Sequence, residues 1–187
     1  MLFRSWTAVV RLRAGVDVEE QALAKVSSLG SGTRELAVYE ERWGDPAGPV
    51  CVALWGVRDP GNVGTVLRGA RAFGAASVAI GPGTADPFGT KAVRASMGAI
   101  FEVPVARVED LAALPAPRVA LVARAGEPLT GPAAGTLVVG AERECLPGEV
   151  VAACDEVRHI AIHSESLNAA MAATVALYEW NRLAADA

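Results

Sequence analysis

The sequence predicts an α/β protein: a mainly parallel sheet flanked by helices, with a small β-α-β extension in front of it. Three observations predict this. Short apolar runs alternate with helical segments from residue 50 to residue 183. The run Val50-Cys51-Val52-Ala53-Leu54-Trp55 is continuously apolar, as a strand buried on both faces must be. The closing stretch carries Ala169, Ala170, Met171, Ala172, Ala173, Val175, Ala176 and Leu177, a helix apolar nearly all round and therefore buried.

Residues 7–13 alternate loosely and read as a strand. Asp17 is placed to cap a helix running through Glu19, Gln21, Leu23 and Val26 to about Leu29. Gly30-Ser31-Gly32 ends that helix, and residues 35–39 read as a second strand. Gly44-Asp45-Pro46-Ala47-Gly48-Pro49 is rich in turn formers and separates the extension, 1–48, from the main body, 49–187. There the strand 50–55 passes through a loop, 56–61, into a helix over 62–73. A strand at 77–80, a Gly/Pro loop at 81–90 and a helix at 91–98 follow. Strands are expected at 100–103 and 119–123, with 108–114 helical between them. A buried strand at 136–140, a short helix at 147–153 and a strand at 157–162 lead to the last helix, 166–183. Ligands of open parallel sheets sit outside the carboxyl ends of the strands. Three such ends carry suggestive residues: 56–68, 140–142 and 160–168.

A chain of 187 residues that is 52% hydrophobic and 20% charged can build a core and is not disordered. No uninterrupted apolar run approaches the roughly 18 residues of a membrane span. The start, Met1-Leu2-Phe3-Arg4-Ser5-Trp6, does not read as a signal peptide. Cys51, Cys145 and Cys154 are odd in number and irregularly spaced, which favours reduced thiols in a cytoplasmic protein. The net charge of −4 counts mildly against a nucleic-acid partner, although net charge is not the local field. Of the 17 basic residues only Lys25 and Lys91 are lysines. Arginine suits bidentate phosphate contacts, and a GC-rich genome would give the same bias.

Several chemistries lack their residues. Gly64 and Gly69 have the spacing of a phosphate-binding P-loop, but Ala70 stands where its Lys belongs. No strand is followed by a G-x-G-x-x-G turn, and no G-x-S-x-G elbow supports a hydrolase reading of Ser166 with His163. Cys145, Cys154, His159 and His163 share a window without the paired spacing of a zinc site, so no metal is expected. Asn62 and Arg68 remain. Asp59-Pro60-Gly61-Asn62 is a tight turn feeding a helix N-terminus, a natural place for a phosphate. An ordinary cap and a surface Arg are the plainer alternative. Ser166 and Asn168 stand likewise at the mouth of the last helix.

These clusters together resemble the SpoU/TrmH family of the SPOUT superfamily. The first is Asp59-Pro60-Gly61-Asn62-Val63-Gly64-Thr65-Val66-Leu67-Arg68, which fits that family's N-x-G-x-x-x-R signature. The second is Leu137-Val138-Val139-Gly140-Ala141-Glu142. The third is Ile160-Ala161-Ile162, then Glu165-Ser166-Leu167-Asn168, Ala172 and Tyr178-Glu179. Residues 91–99 also look like the family's pattern, so the resemblance runs from about Val50 to Trp180. Where the second motif usually continues with glycines, this chain has Arg143 and Cys145. The third has Ala161 in place of the usual Pro, and its loop before Ser166 is shorter than the common form.

The resemblance implies an RNA ribose 2′-O-methyltransferase that uses S-adenosyl-L-methionine and acts on tRNA or rRNA. It implies a C-terminal deep trefoil knot, a rare exception to unknotted topology, and a homodimer that completes the active site. By similarity, Gly140, Ile160 and Leu167 hold the cofactor through backbone groups. Arg68, Asn62, Glu142, Ser166 and Asn168 match the family's polar site positions. Arg68 would bind the RNA phosphate, Asn62, Ser166 and Asn168 would orient the ribose, and Glu142 would hold a loop or Asn62. The alternative is a catalytically weak or inactive RNA-binding relative of the same fold.

Overall fold

The computed structural model describes residues 6–27, 32–130, 134–141 and 145–185. It divides into two compact units, Met1–Arg42 and Trp43–Ala187. In the first, β1 (Val10–Arg13) pairs antiparallel with β2 (Glu35–Val38), in register from Val10 opposite Val38 to Arg13 opposite Glu35. The intervening α1 (Glu20–Val26) buries Leu23. Asp17 does not cap it. Its carboxylate accepts from the backbone N–H of Arg13 at 2.8 Å and from Nε of Arg13 at 3.0 Å, which closes the turn after β1 instead. The helix ends at Val26, with Ser27 extended and its hydroxyl paired with that of Thr33 at 2.6 Å; Leu29, Gly30 and Ser31, where the sequence places the helix end, lie outside the described residues.

The second unit contains β3 (Val50–Trp55), α2 (Pro60–Ala72), β4 (Ser77–Ile80), α3 (Thr90–Ala95) and β5 (Val105–Arg107). Then come β6 (Arg118–Leu121), β7 (Glu127–Pro128), β8 (Gly135–Gly140), α4 (Gly148–Ala152), β9 (Glu156–His159) and α5 (Ala169–Ala185). The strands form one sheet in the order β5-β4-β3-β8-β6-β9-β7, and every neighbouring pair is parallel. All carboxyl ends therefore lie on one edge. Side chains alternate between faces, as the pleat requires. Val52, Leu54, Val78, Ile80, Leu137 and Val139 pack under α2 and α5. Cys51, Ala53, Ala79, Ala120 and Val138 pack with Leu111, Leu114, Leu146 and Val150 on the other face. Each large side chain removed from water in this way contributes about 1.5–3 kcal/mol.

Helix α2 is held on two sides. At Gly64 an added Cβ would collide with the Ala92 carbonyl oxygen and the Ala95 Cβ, so only glycine lets α3 come this close. At Gly69 an added Cβ would sit 3.2 Å from the Thr174 hydroxyl of α5, a tight contact rather than a collision. The sheet's amino edge is pinned by polar groups. Asp155 accepts from the backbone N–H of Arg118 at 2.7 Å and from Nε and Nη2 of its guanidinium at 2.9 and 3.1 Å. The buried hydroxyls of Ser77 and Thr136 donate to the carbonyls of Ala47 and Pro115.

The second unit departs from the sequence reading at several points. Residues 100–103 are not a strand. Gly98 takes φ +88 and Ala99–Phe101 form a 3₁₀ turn that buries Ile100. The strand begins only after Pro104, which has no N–H for a ladder. Residues 108–114 hold one 3₁₀ turn, Leu111–Ala113, capped by Asp110 and stopped before Pro115. The two-residue strand β7 had no pattern to announce it. Helix α5 starts at Ala169 rather than at 166, because the Asn168 side chain fills the cap position. Gly44 N–H donates to the Val105 carbonyl, and Trp43 stands edge-on to Phe88 at 4.9 Å beneath the Arg107 guanidinium.

Candidate active site

Two helix N-termini meet at the carboxyl edge of the sheet. At the first, Asp59 caps α2 by accepting from Gly61 N–H at 2.9 Å, with Pro60 at the first helical position. Lys91 of α3 donates to the same carboxylate oxygen at 2.7 Å. The Lys91 hydrogen bond, followed by that of Gly61, holds the Asp59 carboxyl below the usual carboxylate range. At the second, Asn168 Oδ1 accepts from Ala170 N–H at 3.0 Å and Met171 N–H at 3.2 Å and so caps α5. Its Nδ2 donates to Asn62 Oδ1 at 3.1 Å. Asn62 and Asn168, 106 positions apart, thus form one half-buried junction between α2 and α5.

Beside this junction lies a cleft that opens to solvent. Its walls come from three loops that leave the strand ends. Leu121 ends β6 and Val122 and Ala123 follow it; Gly140 ends β8 and Ala141, Cys145 and Leu146 follow it; Ile160, Ile162, Ser166 and Leu167 follow β9. Ala169 and Ala172 of α5 close the back. At Gly140 an added Cβ would lie 2.7 Å from the backbone nitrogen of Leu146, so the chain there presents bare backbone. Ala141 and Cys145 pair across the loop, with Cys145 N–H donating to the Ala141 carbonyl at 3.0 Å. Cys145 occupies its glycine-like position at φ +56. Apolar walls with exposed backbone groups suit a flat, weakly polar ring system held by main-chain hydrogen bonds.

The expected cofactor residues Gly140, Ile160 and Leu167 line this one cleft, together with Ser166. Asn168 lies between two lining residues, which sets the asparagine junction at the lip. Arg68 is not part of that junction. Six residues along α2 from Asn62, it lies about 120° around the helix. It is exposed and makes no hydrogen bond or ion pair with the described residues. Glu142, like Arg143, lies outside the described residues. Sequence reading missed Leu121, Val122 and Ala123 as a wall, since apolar residues ending a strand carry no mark of a site. It also missed Lys91 as the partner of Asp59, a contact that only the packing of α3 on α2 creates.

The cysteines are all unpaired, with Cys51 buried, Cys154 half-buried and Cys145 exposed. Burial pushes the Cys51 and Cys154 thiols up, which keeps them protonated and unreactive. Among the described residues no three His, Cys, Asp or Glu side chains come together as a metal site would need. No helix among them is long and apolar enough to cross a membrane.

Residues 49–178 match the model of the SpoU rRNA Methylase family. The chain is 38% identical over 159 residues to ribosomal RNA small subunit methyltransferase G 2 of Syntrophobacter fumaroxidans, a match covering 79% of this chain and 30% of that protein. It is 32% identical over 133 residues to the 23S rRNA (guanosine(2553)-2'-O)-methyltransferase RlmP of Bacillus subtilis, covering 65% of this chain and 54% of that one. The chain thus spans about a third to a half of these relatives. Among solved structures, the AdoMet-bound rRNA methyltransferase from Sinorhizobium meliloti superimposes with a TM-score of 0.74 at 31% identity, covering 87% of this chain and 68% of that one.

Proposed function

Since this chain belongs to the SpoU rRNA methylase family, we propose that it methylates a ribose 2′-hydroxyl of ribosomal or transfer RNA with S-adenosylmethionine as donor. One observation carries this: the Asn62–Asn168 junction sits at the lip of the cleft lined by Gly140, Ile160 and Leu167. The bare backbone at Gly140 and the apolar walls fit an adenosine. When bound, S-adenosylmethionine supplies a sulfonium-activated methyl group, so the protein's task is placement more than activation of the electrophile.

The residues of the chain divide the remaining work. A ribose hydroxyl is a weak nucleophile that must lose its proton as it attacks. Asn62 and Asn168, fixed by their mutual bond, orient the sugar, and Ser166 contacts it from the rim. Arg68 stays protonated in a protein, so it grips the RNA phosphate and stabilises the charge that develops as the hydroxyl loses its proton. Glu142 steadies the loop after β8.

A homodimer completes the site. Arg68, about a third of the way around α2 from Asn62 and exposed, serves the cleft of a second subunit. Support comes from α5, where Met171, Val175 and Tyr178, at 57%, 42% and 54% exposure, make an apolar stripe that one chain leaves uncovered. A deep trefoil knot, in which the C-terminal segment threads a loop, is the finer reading of the fold, supported by the crowding of three loops around one cleft. Residues 49–187 form the methyltransferase body, 1–48 are a small extension, and the reaction takes place in the cytoplasm.

Isothermal calorimetry with S-adenosylmethionine, paired with methyl transfer to total RNA, tests this reading. Cofactor binding together with ribose methylation is expected. Binding without methylation of any RNA would favour the inactive RNA-binding relative.

A further inference from the structure

Two walls of the cleft come from neighbouring loops, residues 122–126 after β6 and residues 160–168 after β9. Near the sheet they are joined as parallel strands require: Val122 N–H donates to the Arg158 carbonyl and Leu129 N–H to the His159 carbonyl, each at 2.9 Å. Nδ1 of His159 lies 3.1 Å from the Gly126 carbonyl oxygen. Farther out the join is made by a side chain. Nη2 of Arg124 donates to the Ser164 carbonyl at 3.0 Å.

Arg124 has a left-handed backbone, φ +59. A non-glycine residue stays there only when its surroundings over-determine it. The side chain does not line the cofactor cleft. It lies behind the loop, in a hollow shared with His159, Ile160, Ala161, Ile162 and His163. The carbonyl it holds leads directly to the cleft wall. Ser164 Oγ donates to the Ser166 carbonyl at 3.2 Å, Ser166 and Leu167 line the cleft, and Asn168 caps α5.

We propose that Arg124 is a positioning residue for the cofactor: its bond to Ser164 locks the loop after β9 so that Ser166 and Leu167 face Ala123 across the cleft. This rests on the reading of the cleft as an S-adenosylmethionine site. The loop is short and exposed, and a charged donor on a carbonyl is a strong tether for it. Without that tether the loop must be ordered each time cofactor binds, which weakens binding and leaves the chemistry of the bound state untouched.

Calorimetry and steady-state kinetics on the full chain test this with three variants. Arg124→Gly removes the guanidinium and suits the left-handed backbone. Arg124→Asn tolerates that backbone and cannot reach Ser164, so it separates a lost bond from a loosened glycine. Arg124→Lys keeps a donor. Gly and Asn should both weaken S-adenosylmethionine binding, and raise its KM, about tenfold. Their kcat at saturating cofactor should stay within about twofold of wild type. Lys should recover part of the affinity. Gly and Asn variants that bind like wild type, or that lose kcat while keeping affinity, would overturn the role of Arg124. Wild-type protein that fails to bind S-adenosylmethionine would overturn the cofactor reading itself, and this role with it.

Discussion

The two edges of the parallel sheet treat their polar residues differently. At the amino edge each polar group named above is satisfied within the protein. Asp155 accepts three hydrogen bonds from Arg118, and the buried hydroxyls of Ser77 and Thr136 each reach a carbonyl. At the carboxyl edge Gly140 bares its backbone, and Cys145 and Arg124 hold left-handed conformations. Arg68, on the helix that leaves this edge, ends in solvent with no partner among the described residues. The same fold that buries a core thus ties down the polar groups of one edge and leaves those of the other open. Two left-handed non-glycine residues and an unpartnered charge on the second are what a functional site would carry.

The largest effect should come from that unused charge. Arg68→Ala should lower kcat for RNA methylation by about 100-fold or more, the cost of losing one donor aimed at developing charge. Cofactor affinity by calorimetry should be unchanged. Methylation that survives this substitution would leave Arg68 as an ordinary surface residue.

Asn168 does two jobs that substitutions can separate. Asn168→Ala loses the α5 cap and the Asn62 bond, and should cost about 1–2 kcal/mol in urea unfolding as well as activity. Asn168→Asp keeps a capping acceptor and loses the Nδ2 donor. It should retain most of the stability and still lose turnover. Full activity in both variants would make the junction purely structural.

The exposed stripe on α5 offers a third test. Val175→Glu puts a charge between Met171 and Tyr178 and should convert a dimer to a monomer in analytical ultracentrifugation, with loss of methylation. A wild-type protein that is already monomeric at micromolar concentration would contradict the shared site.

The smallest effect belongs to the amino edge. The Arg118 hydrogen bonds hold the Asp155 carboxyl below its ordinary value. A lowered folded-state value means that this carboxyl stabilises the protein above about pH 4 and that the contribution fades as pH falls through the lowered value. Asp155→Asn should therefore flatten part of the acid limb of thermal stability and leave methylation at neutral pH unaltered. An equal loss of activity would mean that the two edges are not independent.

The sequence was legible where one physical cause acts alone. The strands β3 and β4 were read to their true ends because burial on both faces demands an unbroken apolar run. The mouth of α5 was legible because Asn168 is a good cap, although the helix begins three residues later than expected. Residues 100–103 misled because apolar side chains under a helix have the composition of a strand, and only Gly98 and Pro104 betray the turn. The motifs carried the cleft residues Gly140, Ile160 and Leu167. They said nothing of Leu121, Val122 and Ala123, or of Arg124, whose roles arise only when β6 lies beside β9.

Methyl-labelled S-adenosylmethionine, incubated with this protein and ribosomal or transfer RNA, gives the most direct measurement once the RNA is hydrolysed with alkali. A 2′-O-methyl group blocks cleavage of the adjoining phosphodiester, so the label should appear in alkali-resistant dinucleotides. It should vanish with Arg68→Ala. Label released in mononucleotides, which marks base methylation, or no transfer from a cofactor that calorimetry finds bound, would contradict ribose methylation at this edge of the sheet.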